Sequence, residues 1–208
     1  MFLGLRKTMS TYRINADDFA SFDLAAEHVA VLAIKSRDLK EAAKDVHNWA
    51  RRELITFRPK TEEVRQPRFS FASVIEVAVI GELTRAGYGV QQSAQIAQLA
   101  VDRAKQLATL PDAEDDEKSK LQTLGFTYDQ YVMVFSFRPN GAIDHNFYTK
   151  DQALGRLFPE LGSIYSPFNK HVFQVDYLLF KVTERYCHLV SERASDPAYF
   201  DTLKGGSE

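Results

Sequence analysis

The sequence predicts an α+β protein, with a mostly helical first half and a second half built on a β-hairpin. Three observations predict it. Apolar residues before position 110 recur at three- and four-residue intervals. Residues 131–148 alternate in period two around an Asn-Gly turn. Between them runs a charged decamer without aromatics, Pro111 to Lys120, beyond which lie 16 of the 25 aromatic residues, between 121 and 200. The expected organisation is an N-terminal domain over 1–110, an acidic linker over 111–120 and a C-terminal domain over 121–208, with two cores of different character.

Asp23 to Ile34 places Leu24, Ala25, Val29, Leu32 and Ala33 at helical spacing. Ser36-Arg37-Asp38 then offers an N-cap, since a short oxygen-bearing side chain can take an orphan N–H of the first turn. Leu39 to Ile55 reads as a second helix with Leu39, Ala43, Val46, Trp49, Ala50 and Leu54 on one side. Phe57 to Phe69 has two prolines and few apolar anchors, so it reads as a loop or small hairpin. Ser70 caps a third helix that runs to Ala86, with Val74, Val77, Ala78, Ile80, Gly81 and Leu83 on its buried side. Gly87-Tyr88-Gly89 stops it, glycine standing where the backbone must take positive φ. A fourth helix over 90–109 carries Ile96, Leu99, Ala100, Arg103 and Leu107 on one stripe.

In the second half, Tyr131, Met133, Phe135 and Phe137 alternate with Val132, Val134 and Ser136, which makes a strand. Arg138-Pro139-Asn140-Gly141 is a turn, and Ala142 to Tyr148 returns as the partner strand. Thr149 and Gln152 match a capping box for a short helix closed by Pro159. Residues 171–193 carry both signals. His171 to Val182 is rich in strand formers, whereas Leu178, Leu179, Val182, Tyr186, Leu189 and Val190 form a helical face. Helix is expected over most of it.

The net charge of −2 excludes a uniformly basic coat but conceals an asymmetry. Residues 1–110 hold 16 Lys/Arg against 13 Asp/Glu, a net of +3, and residues 111–208 hold 10 against 15, a net of −5. Within 35–68 there are 10 basic and 6 acidic residues, which hints at an anionic partner for this segment. One cysteine, Cys187, excludes an intramolecular disulfide framework and an all-cysteine zinc site. No run approaches a membrane span, and the apolar N-terminal run is too short for a signal-peptide core. The expected location is cytoplasmic, with no membrane partner.

A basic helix following a short turn is an element the DNA major groove admits. In Val46 to Ile55, Trp49 and Leu54 can anchor such a helix while Lys44, His47, Asn48, Arg51 and Arg52 project outward. Arginine and lysine reach phosphates or guanine edges, and asparagine can pair bidentately with adenine. Arg58, Lys60, Arg65 and Arg68 follow in a loop able to touch the adjacent backbone.

The order Val46-x-x-Trp49-x-Arg51-Arg52-x-Leu54-Ile55, a basic loop, Arg68-Phe69-Ser70-Phe71, an apolar helix and Ala86-Gly87-Tyr88-Gly89-Val90-Gln91-Gln92 resembles the MerR-type winged helix-turn-helix. The resemblance spans roughly residues 24–105. It implies that Arg51, Arg52 and Arg68 contact phosphates and that Lys44, His47 and Asn48 face the groove. Four departures stand out. The stretch Asp38–Lys44 is longer than the usual turn between helices one and two. The family's glycine before Leu54-Ile55 is Glu53 here, an acid where the chain turns away from DNA. Pro111 follows the fourth helix too soon for the long dimerisation helix of typical members. The cysteines of metal-sensing members are missing near that helix.

Other constellations carry less. Asp144 and His145, with Glu160 and His171, lack metal-ligand spacing, and adjacent strand residues point to opposite faces; a solvated strand end is the simpler reading. Cys187-His188 does not bring its side chains together on a helix, so Cys187 reads as a buried structural thiol. Tyr131, Phe135, Phe137 and Tyr148 are candidates to line an aromatic pocket, but read more simply as core. No catalytic signature, metal site or cofactor motif is present. The expectation is a non-catalytic, sequence-specific binder of double-stranded DNA. It would act as a MerR-like transcriptional regulator and homodimer, with a C-terminal domain that dimerises it or senses a small-molecule or protein effector. An excisionase-like or architectural DNA factor, and a protein-interaction adaptor with a degenerate helix-turn-helix, are the alternatives.

Overall fold

Residues 71–80 are buried at every position, and a helix apolar all round belongs at the centre of a structure. The fold, described in a computed structural model for residues 14–34, 38–62, 65–108, 131–138, 140–149, 152 and 171–195, is arranged about that helix. The elements are α1 (Ala16–Ala20), α2 (Ala26–Ala33), α3 (Leu39–Arg51), the central α4 (Phe71–Arg85), α5 (Val90–Ala108), β1 (Tyr131–Phe137), β2 (Ile143–Thr149), β3 (His171–Phe173) and α6 (Val175–Ser195). The α+β class is thus as expected.

Local chemistry sets the helix ends. Asn15 Oδ1 accepts from the N–H of Asp17, and Asp18 Oδ2 accepts from the N–H of Asn15, both at 2.8 Å, a reciprocal cap on α1. Asp38 caps α3 through one oxygen that accepts from the N–H groups of Lys40 and Glu41 at 2.9 and 3.2 Å. At α4 the cap comes from inside the helix, where Ser73 Oγ accepts from the N–H of Ser70 at 3.0 Å. Gly87 ends α4 at φ +93°. The N–H of Tyr88 reaches the carbonyl of Leu83 and that of Gly87 reaches Thr84, the double bond of a Schellman stop.

Two boundaries differ from the periodicity. The helix expected from Asp23 begins at Ala26, because Leu24 instead exchanges peptide hydrogen bonds with Phe69. The helix expected to reach Ile55 stops at Arg51. Glu53 takes φ +56°, and the N–H groups of Glu53 and Leu54 bond to the carbonyls of Ala50 and Trp49. This is the same Schellman stop made without glycine. Leu39, expected on the apolar side of α3, is 38% exposed; Ala42, Ala43, Val46 and Ala50 make that side.

The expected hairpin forms, with Phe135 opposite His145 and Phe137 opposite Ile143, and Gly141 takes positive φ in the turn. The ambiguous stretch divides. His171–Phe173 pairs with β1 as a third, antiparallel strand, giving the order β2-β1-β3, and the chain then turns into α6. Strand propensity won only where an unpaired edge of β1 was available. Of the short helix expected after Thr149 only Gln152, which is helical, is described, and the linker over 111–120 lies outside the described residues.

Two cores were expected, but the buried side chains before and after the linker form one principal cluster. Phe71 packs on Tyr186 of α6 with ring centroids 4.6 Å apart, and on Phe19 of α1 at 5.4 Å. Tyr186 Oη donates to Asp18 Oδ1 at 3.0 Å, and Arg185 Nη1 donates to the carbonyl of Leu32 at 2.9 Å. On the sheet, Met133 and Phe135 join this core, while Val132 and Val134 face the other way with Tyr148. The composition changes across the linker, but the apolar faces on its two sides cover each other.

Candidate nucleic-acid interface

α3 turns its alanines and Val46 inward, so its long polar side chains must face out. At about 100° per residue, Lys40, Lys44, Asn48 and Arg51 fall within a band about 80° wide. All four are exposed. Glu41, Asp45 and Arg52 are exposed too and lie along one edge of this band. His47 lies on the other edge and is half-buried, its ring edge-on to Phe69 with centroids 6.3 Å apart. Of the residues expected to project outward, His47 alone is drawn partly into the packing, because Phe69 offers it an apolar neighbour.

The loop after α3 is held as a small hairpin. Arg58 and Arg68 form an isolated antiparallel bridge, and Phe69 continues the chain into its pairing with Leu24. This path sets the root of the loop beside α3 through the contact of Phe69 with His47. Arg58, Lys60 and Arg65 are exposed. The Arg58 guanidinium lies 5.0 Å from the centroid of the Phe22 ring, a cation–π contact that steadies it without neutralising it. Arg68 is half-buried, and its Nη1 donates to the carbonyl of Asp23 at 3.4 Å. The structure therefore brings the root of this loop, at Arg68 and Phe69, to the corner of the fold where α3 lies.

The anchor of that corner is a residue that no sequence motif marks. Glu76 on α4 is fully buried. It accepts from the N–H and hydroxyl of Thr56 at 2.5 and 2.7 Å, and from the amide of Gln98 on α5 at 2.6 Å. Ser73 Oγ donates to the carbonyl of Thr56 at 2.6 Å. Every polar group of Thr56 is thus gripped by α4 just as the chain enters the basic loop. Burial pushes the Glu76 carboxyl above the usual glutamate range, opposed by the Thr56 hydroxyl and N–H, the Gln98 amide and the charge of Lys105. The available signal was a single acid inside the apolar run Phe71–Ile80, since a buried acid must be satisfied by partners.

The remaining candidates are structural in their placement. Asp144 pairs with Arg138 across the hairpin, and the Arg138 guanidinium holds its carboxyl below the usual range. His171 Nδ1 sits 2.6 Å from the Tyr88 hydroxyl and its ring stacks on Phe135, well engaged without a metal. Glu160 lies outside the described residues. Among the described residues no group of three His, Cys, Asp or Glu side chains is placed to hold a metal ion. Phe135 is core, Phe137 is half-buried beside Tyr88, and Tyr148 lies on the opposite face of the sheet. These aromatics therefore do not line one common pocket. The side chain of Tyr131 lies outside the described residues. Cys187 is fully buried, and burial, with the charge of Asp18, pushes its thiol up to about 12. Among the described residues no helix is long and apolar enough to cross a membrane.

No protein-family model matches the chain, and no curated protein matches it in sequence.

Proposed function

We propose that the protein binds duplex DNA sequence-specifically, as a transcriptional regulator of the MerR-like kind, without catalysis. The observation that carries this reading is the exposed basic band of α3, Lys40, Lys44, Asn48 and Arg51, beside a loop closed at Arg58 and Arg68. A helix fits the major groove, and a basic loop at its flank meets the neighbouring phosphates. Arg52, Arg58, Lys60, Arg65 and Arg68 supply that second contact. In this reading a homodimer places two copies of α3 one helical turn of DNA apart, and residues after 121 serve dimerisation or sense an effector.

The test is binding of the purified protein to a random duplex library at two salt concentrations, with sequencing of the bound fraction. An enriched two-fold symmetric motif supports a dimeric regulator and gives its half-site spacing. Binding that vanishes with salt and leaves no motif points to an architectural DNA factor. No binding at either salt removes the DNA reading. The exposed acids Glu41, Asp45 and Glu53 beside the basic band would then favour a protein-interaction adaptor.

A further inference from the structure

The outward band of α3 offers hydrogen-bond donors with almost no free acceptor. Lys40, Lys44 and Arg51 are exposed, and neither an ammonium nor a guanidinium accepts. Asn48 is the one member of the band with an oxygen to present. Arg51 Nη2 donates to Asn48 Oδ1 at 2.7 Å. Because a guanidinium only donates, the amide atom that faces it must be the oxygen. The Asn48 oxygen is therefore engaged, while its NH2 group points elsewhere. His47, which could accept through a ring nitrogen, is half-buried against Phe69. The carboxylates of α3, Glu41 and Asp45, lie about 80° and about 120° round the helix from Arg51, on the Asn48 side of the band.

The bases differ in what they ask of such a surface. Guanine shows two acceptors in the major groove, N7 and O6. Adenine shows an acceptor beside an N6–H donor, and cytosine shows a donor. Pairing of asparagine with adenine spends the amide oxygen on N6–H and the NH2 group on N7. Here one of the two lone pairs of that oxygen already accepts from Arg51, so adenine N6–H would have to approach the other beside a charged donor. We propose that Asn48 and Arg51 act as one donor unit that reads the N7/O6 edge of guanine, so that the half-site facing α3 is centred on guanine and not on adenine. The proposal rests on the DNA-binding reading above and names the base class it recognises. It also moves Arg51 from the phosphate contact implied by the MerR resemblance to the base-reading face.

The test uses the full-length protein and the duplex recovered by selection. Each guanine of a half-site is replaced in turn by 7-deazaguanine, which keeps pairing but removes the N7 acceptor, or by inosine, which keeps N7 and O6. The expected result is one guanine at which 7-deazaguanine lowers affinity roughly tenfold while inosine is tolerated, the loss of one good base contact. Asn48→Ala and Arg51→Ala should each relax the preference at that same position, and the double variant should relax it little further, because the two side chains act together. Circular dichroism of each variant checks that α3 is retained. A half-site whose critical base is an adenine lost with Asn48→Ala overturns the proposal, as does undiminished binding to every 7-deazaguanine duplex. Binding with no sequence preference also overturns it while leaving DNA binding in place. Failure to bind any duplex at low salt removes both readings together.

Discussion

Arg58 and Arg68 exchange two peptide hydrogen bonds, the N–H of Arg58 to the carbonyl of Arg68 at 2.8 Å and the reverse at 3.0 Å. The ten-residue separation between them is closed by backbone, so the Arg58 guanidinium is not what closes the loop. Form and charge can therefore be separated by mutation. Arg52→Ala with Arg58→Ala should leave the fold intact and weaken duplex binding on all sequences alike. The slope of log affinity against log salt should flatten by roughly one to two, since each lost phosphate contact removes about 0.9. An unchanged slope would place both arginines outside the interface.

Glu53 occupies a left-handed backbone position, φ +56°, at the end of α3. A residue with a Cβ pays about 1 kcal/mol or more there, and glycine does not. Glu53→Gly should therefore stabilise the protein by about 1 kcal/mol in denaturant unfolding, despite the extra freedom it gives the unfolded chain. It also removes an acid next to Arg51 and Arg52, so duplex affinity at low salt should rise. A loss of stability would mean that the glutamate side chain holds the turn in a way its exposed position does not suggest.

Glu76 predicts a pH dependence of defined sign. Its folded pKa is raised above the ordinary 4.5 by burial, so the folded state holds the proton more tightly than the unfolded one. The stability it contributes is complete below that ordinary value and is lost as pH rises through the folded value. Glu76→Gln cannot titrate, and it lacks one of the two oxygens that accept from Thr56 and Gln98. The excess of wild-type over variant stability should be greatest in acid and shrink toward neutral pH, read as the difference in urea midpoints. A difference constant with pH would show that the buried carboxyl does not titrate in that window.

Tyr186 joins α6 to the first helix through its bond to Asp18 and its packing on Phe71. Tyr186→Phe keeps the packing and removes the buried hydrogen bond, at a cost of about 1–2 kcal/mol. The chain's one tryptophan, Trp49, sits far away in sequence on α3. If one core unfolds as a unit, the Trp49 fluorescence transition should move to lower denaturant by that free energy divided by the m-value. A transition that stays in place would show that the N-terminal helices unfold independently of α6.

The sequence by itself determined what is settled within a turn or two of chain. Asp38 as a cap, Gly87 as a stop, the alternation of β1 and the Gly141 turn are chemistry between near neighbours, and all were legible from residue type and spacing. The basic band of α3 was legible for the same reason, since helical period alone puts Lys44, Asn48 and Arg51 together. Only the tertiary structure decided the rest. Glu53 read as an oddity of charge until its left-handed backbone showed why α3 ends at Arg51. His171–Phe173 became a strand because β1 had an edge to pair, information held 35 or more residues earlier in the chain. Glu76 finds Thr56 at 20 residues' separation and Gln98 at 22, while Asp18 finds Tyr186 at 168. Periodicity tells which face of an element must be covered. It does not tell by what, because burial of apolar surface is non-directional and many partners satisfy it equally. The choice among them falls to packing and to the few buried polar groups that accept only one arrangement.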